Sequence, residues 1–254
     1  IVLILIILKL LIYDKITKLY WMDNHRKYKF FLLIGLDEIK FTALNESNKI
    51  LLEKQLTVND FSLDENFKTL DEFLNQNIFN LEKTLSSYVD EINLLINYDD
   101  FISVDVSTTH NFNNNSNHLN KIPNFLVNLK DNVIKNMNGY NLIHMVINQF
   151  IIDGKEYSSI QKNADYNNIF LEVKFICLKS KILQNLKKIF SKYEISVKNV
   201  SFYKYVYNFK KSKDNNIFIL AEKLNNGFNQ KEIFIVDKPS KNQGFFERFF
   251  NLFN

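Results

Sequence analysis

Five glycines and two prolines punctuate all 254 residues, and the glycines (Gly35, Gly139, Gly154, Gly227 and Gly244) stand far apart. Tight turns draw on these residues because Gly enters positive φ freely and Pro pre-sets φ. A barrel of many short strands, with a turn about every ten residues, is disfavoured, and long helices mixed with long strands are expected. Nucleotide-binding folds also press phosphates against loops that only Gly lets the backbone approach. No GxG, GG or Walker spacing occurs. A conventional mononucleotide or dinucleotide enzyme is therefore not expected, and no cofactor and no catalytic residue is assigned.

With 46% apolar and 24% charged residues the chain buries a sizeable core. The single cysteine, Cys177, excludes an intramolecular disulfide and a Cys-rich metal cluster and fits a reducing compartment. The net charge of +4 is spread along the chain with no basic arm, which argues against nucleic acid as a partner. Abundant Asn, Lys, Ile and Phe read as the composition of an AT-rich genome.

The ends are unusual. Residues 1–28 begin with IVLILIILKLLIY, an apolar run broken by Lys9 and too short for the ~20 residues of a spanning helix. The first Met is Met22, so this segment reads as sequence upstream of the natural start or as a hydrophobic anchor; a cleaved signal peptide fits least, without a basic n-region or cleavage site. At the other end, residues 237–244 read as a polar linker and 245–254 as an amphipathic helix. Phe245, Phe246, Phe249, Phe250, Leu252 and Phe253 fall within an arc of about 160° at 100° per residue, and Glu247, Arg248, Asn251 and Asn254 fill the rest. With Arg248 beside them these aromatics are expected to lie in a membrane interface; a core helix and a partner groove are the alternatives.

Between the ends, Lys29–Leu44 reads as two strands around Gly35–Glu38, and Ile50–Val58 as a third. A long amphipathic helix is expected over 69–96, with Asp71 and Glu72 in its first turn. Phe101–Ser107 alternates as a strand and leads into an Asn-rich loop with His110 and His118, read as solvated residues because no carboxylate stands at ligand spacing; no metal site is assigned. A helix over 123–137 and a strand ending at Asp153–Gly154 follow, with His144 read as a satisfied structural histidine. In the next strand Leu171, Val173, Phe175 and Cys177 share a face, which makes Cys177 a small buried apolar residue. A helix over 181–193 precedes a strand expected over 195–207.

The run IHMVINQFIIDG, residues 143–154, with LEVKFICLKSKILQNLKKIFSKYEISVKNVSF after it, resembles the FtsA family of bacterial cell-division proteins, in the actin and Hsp70 superfamily. Ile143, His144, Val146, Gln149, Phe150, Asp153 and Gly154 keep the family's pattern, and Asn148 replaces its proline. Upstream, ISVDVSTTH looks like the family's strand-plus-SGSH segment and IGLDEIKFTAL like its first strand pair. The resemblance covers roughly residues 30–207. It implies an α+β chain: an actin-like, ribonuclease-H-like first domain over 29–100 and 178–236, with a small SHS2-type domain inserted at 101–177.

Where the family's first phosphate loop has Asp, Gly and two serines, this chain has Gly35, Asp37, Glu38 and Ile39, and only Lys40 is kept. The loop reads as degenerate, because an anionic pair repels a triphosphate. About 47 residues follow Tyr207, where the family continues into a second actin-like half and its FtsZ-gripping surface, so a reduced form is expected. The resemblance then implies an adaptor without ATPase activity on the cytoplasmic face of the bacterial inner membrane at the division site. Its partners would be the membrane surface and other division proteins, with FtsZ and the protein itself as candidates. A PilM-like scaffold of a membrane-associated assembly system is the alternative, and a nucleotide-dependent enzyme a remote one.

Overall fold

The computed structural model describes residues 28–58, 67–111, 121–157, 167–211 and 216–234. Two compact units divide them. One holds the residues up to Ser103 with Gly139–Ile143 and Ile176–Asn229; the other holds Val104–Asn138, His144–Phe175 and the residues from Gln230 on. Three of the divisions, after Ser103, Ile143 and Phe175, fall inside strands.

The first unit is built on a five-stranded sheet. Strands β1 (Tyr28–Ile34), β2 (Glu38–Asn45) and β3 (Ile50–Thr57) form an antiparallel meander. On the other side of β1, β4 (Glu91–Ile96) and then β9 (Ser196–Phe202) add in parallel, giving the order β3–β2–β1–β4–β9. Alternation decides the faces. Phe30, Leu32 and Ile34 of β1, Ile39, Phe41 and Ala43 of β2, and Ile92, Leu94 and Ile96 of β4 join one core with helices α1 (Phe67–Leu85) and α3 (Ser180–Ser191). Helix α1 contributes Leu70, Phe73, Leu74, Ile78 and Leu81, a spacing of three and four that gives one apolar stripe.

The opposite face is covered by α4 (Tyr203–Tyr207) and α5 (Ile217–Asn225). Phe31 meets Phe218 with ring centroids 5.8 Å apart, and both are fully buried. The Asn216 side chain caps α5 by accepting from the Phe218 N–H at 2.8 Å. Near the start of β1 this face turns polar. Lys29 pairs with Glu222 at 2.9 Å, and buried Asn93 is satisfied by the Phe30 carbonyl and by Asn199.

Three expectations change here. The helix expected over 69–96 is two elements, α1 and β4. Ser86 takes φ 50° and the Ser87 N–H reaches back to the Glu82 carbonyl, a left-handed helix stop made without glycine. Asp71 lies beyond the first turn of a helix that begins at Phe67. Its carboxylate instead accepts from Lys192 at 2.6 Å and from the Tyr193 hydroxyl at 2.9 Å, tying α1 to the end of α3. The strand expected over 195–207 ends at Phe202, and Tyr203–Tyr207 is helical.

The Asp71 contact carries a pH dependence. The Lys192 hydrogen bond, helped by Tyr193 and opposed by burial, holds the Asp71 carboxyl below its ordinary value of 3.8. A depressed carboxyl stabilises the fold above its unfolded value, and that contribution is lost as pH falls through the folded one. Thermal melts between about pH 2 and 4 are expected to show a shallower acid loss in Asp71→Asn than in the wild type; parallel acid limbs would refute this.

The second unit carries the sheet β5–β8–β6–β7, from β5 (Phe101–Asn111), β6 (Tyr140–Ile152), β7 (Lys155–Glu156) and β8 (Asn168–Lys179), with helix α2 (Lys121–Asn136) between β5 and β6. Met145, Ile147, Phe150 and Ile152 of β6 and Ile169, Leu171, Val173 and Phe175 of β8 are buried, with Ile122 and Leu126 of α2. Asn148 reaches Asp105 and Glu172, and Lys174 pairs with Asp105, so the alternate positions form a polar network. Asp153 at φ 45° and Gly154 at φ 82° make the β6–β7 turn, where two positive φ values in succession match the strand twist. Along the chain the order is strand, helix and three strands.

Candidate functional site

The candidate site is the carboxyl end of the first sheet, where open sheets with parallel strands bind their ligands. Here β1 ends at Ile34 and the chain turns through Gly35, Leu36 and Asp37 into β2. The turn is closed on itself. Gly35 N–H donates to the Glu38 carbonyl at 2.8 Å, Val58 N–H to the Asp37 carbonyl at 2.9 Å, and Asn97 N–H to the Ile34 carbonyl at 2.9 Å. A Cβ on residue 35 would stand 3.3 Å from the Glu38 carbonyl oxygen, so the close turn is what the glycine serves.

The charges at this end are mostly spent within the chain. Lys40 has its Nζ 2.8 Å from Glu53 on β3. Beyond β4, Asp99 pairs with Lys204 at 2.7 Å and Asp100 with Lys179 at 2.6 Å. Leu36 and Asp37 are exposed. Tyr203, the first residue after β9, has its hydroxyl pushed above the usual value by burial, then by Tyr207 and by Glu38. Its ring stacks on Tyr207 at 5.8 Å, and Lys210 lies over the Tyr207 ring at 5.5 Å. A phosphate charge brought within about 6 Å of either turn carboxylate costs roughly 0.7 kcal/mol in water and 3 kcal/mol at an effective dielectric of 20. Lys40 cannot offset that while it holds Glu53. Glu53 and Tyr203 were not singled out from the sequence. Only the β2–β3 pairing, with Lys40 opposite Gln55 and Thr42 opposite Glu53, puts Glu53 in reach.

No family model and no curated protein matches the chain. Solved structures match in part. The chain is similar to the PilM–PilN type IV pilus biogenesis complex, with 9% identity over 70% of this chain and 48% of that one and a TM-score of 0.45. It is also similar to the cytoplasmic domain of EpsL, an inner membrane component of the type II secretion system of Vibrio cholerae, with 11% identity, 73% and 59% coverage and a TM-score of 0.36. A Bacteroides thetaiotaomicron protein with an actin-like ATPase fold and unknown function gives 14%, 74%, 57% and 0.30. The chain thus spans 48–59% of the length of these structures. The fold class is α+β: the first sheet has the order β3–β2–β1–β4–β9, and the second unit enters the chain after β4.

Within that fold the remaining singled-out residues have these places. Cys177 is fully buried and burial pushes its thiol up to about 11, which suits an apolar core position and not a nucleophile. His110 stacks on Phe125 of α2 at 4.9 Å; His118 lies outside the described residues. Among the described residues no group of three or more His, Cys, Asp or Glu side chains is arranged to hold a metal ion. His144 is buried, with its Nδ1 2.7 Å from Glu232. The membrane residues expected at Phe245, Phe246, Arg248, Phe249, Phe250, Leu252 and Phe253 lie outside the described residues, as does the segment 1–27. No described helix is long and apolar enough to cross a membrane.

Proposed function

We propose that the chain is a non-catalytic adaptor of the FtsA kind. It associates peripherally with the cytoplasmic face of a bacterial inner membrane at the division site and recruits division proteins, with FtsZ and further copies of itself as candidate partners. The observation that carries the non-catalytic part is the β1–β2 turn. Its Gly35 amide is spent inside the turn, Asp37 and Glu38 add two carboxylates to it, and the Lys40 ammonium is held by Glu53. The membrane part rests on the separation of aromatic and polar residues over 245–254.

Calorimetry of the intact protein with ATP and Mg2+ is expected to give no binding tighter than about millimolar, the level a single lysine reaches. Micromolar binding would overturn the non-catalytic reading. In cells, a fluorescent fusion is expected at the membrane at division sites, and removal of residues 240–254 is expected to disperse it. A fusion at pilus-assembly foci instead would favour the PilM-like scaffold, and an intact fusion that stays diffuse would refute both.

A further inference from the structure

The last described residues do something that a linker does not. Glu232 makes an isolated antiparallel bridge with Val146 of β6. Ile147 N–H donates to the Lys231 carbonyl and Ile233 N–H to the Met145 carbonyl, both at 2.8 Å. Lys231 Nζ adds a bond to the Asn148 carbonyl at 3.3 Å. In the sheet β6 lies between β8 and β7, and β7 pairs only with Ile151 and Ile152. Residues 231–233 therefore extend the pairing of β6 over Met145–Ile147.

Burial marks this as a built contact. The Glu232 and His144 side chains keep 4% and 6% of their exposure, with Oε1 and Nδ1 2.7 Å apart. A buried carboxyl group is costly unless a hydrogen-bonding partner meets it, and here the His144 ring nitrogen meets it. The pairing also fixes register. Successive side chains of a strand point to opposite faces, so a slip of one residue would turn Glu232 outward and set Lys231 or Ile233 against His144.

We propose that Lys231–Ile233 is a strand clasp, pinned in register by Glu232 on His144, that fastens the C-terminal segment to the second unit. A surface that takes the tail then keeps the second unit near it, because the twelve residues from Ile233 to Phe245 reach at most about 40 Å. This consequence rests on the membrane reading above; the clasp itself does not.

Two measurements on the full chain test it. In hydrogen exchange, the Ile147 and Ile233 amides are expected to be protected. Glu232→Ala and Ile233→Pro should each speed exchange at Ile147 at least about tenfold, leaving the amides of β1 and β4 unchanged, and Glu232→Gln should stay near wild type. Unprotected wild-type amides, or an unchanged Ile147 rate in both variants, would overturn the clasp. For the consequence, a fluorophore on Lys155→Cys is read by energy transfer to labelled lipid headgroups in anionic phosphatidylglycerol vesicles; buried Cys177 takes no label. Transfer is expected to fall by about half or more in Glu232→Ala at equal co-sedimented protein. Unchanged transfer refutes the consequence. Failure of the parent protein to co-sediment refutes the membrane reading instead, and the exchange result still decides the clasp.

Discussion

Phe249→Glu is expected to release the protein from anionic vesicles, lowering its partitioning at least about a hundredfold, equivalent to ~2.7 kcal/mol. Phe249 stands at the centre of the apolar arc of 245–254, and a phenylalanine buries some 150–200 Å², or roughly 4 kcal/mol at 25 cal/mol per Å². Ten residues make too short a helix to propagate alone in water, so the apolar face has to supply the ordering free energy. Near anionic lipid Arg248, Lys238 and Lys241 add roughly 1 kcal/mol each. Asn251→Glu, on the polar face, is expected to change partitioning little. Co-sedimentation that survives both substitutions would show that the arc does not meet lipid.

Phe218→Ala is expected to cost about 3–5 kcal/mol of stability, the range for emptying a buried phenylalanine site. Phe218 is the centre of the contact between α5 and the second face of the first sheet, against Phe31, with Leu220, Ala221 and Leu224 buried beside it. Lys223→Ala on the exposed side of the same helix should stay within about 0.5 kcal/mol. Denaturant unfolding reads both. A loss below about 1 kcal/mol for Phe218→Ala would mean that α5 is an ornament on the sheet instead of its second cover.

The β8–α3 succession was readable because alternation over the first part of β8 and three-four spacing in α3 differ, whereas β1 and β2, buried on both faces, were readable as short apolar runs separated by the polar turn at Gly35–Glu38. Residues 69–96 were not, because Val89, Ile92, Leu94, Leu95 and Ile96 are all buried. An apolar run covered on both faces satisfies helix and strand templates alike. The break at Ser86 also lacks the usual glycine. Tyr203–Tyr207 is too short for a helical period to show and is rich in tyrosine, which favours strands. The turn at Gly35 was legible as a turn between two strands. The hold of Glu53 on Lys40 was not, because it is set by strand pairing. For His144 the sequence suggested a satisfied buried ring, whereas its partner lies 88 residues further on, where nothing local announces it.

The pairing of β4 with β9 joins residues more than a hundred positions apart, Glu91 with Ser196 at its start. Closing such a loop costs about 2 kcal/mol more than closing one ten times shorter. At ordinary rates of synthesis, about 5–20 residues per second, the outer edge of β4 waits roughly 5–20 s for its neighbour to be made. All of Val104–Phe175 emerges during that wait. If the second unit condenses first it draws the ends of the loop together, so the order of manufacture and the order of assembly agree. A substitution that slows the second unit would then leave β4 exposed for longer, and the yield of soluble protein would fall through the first unit although the lesion lies in the other.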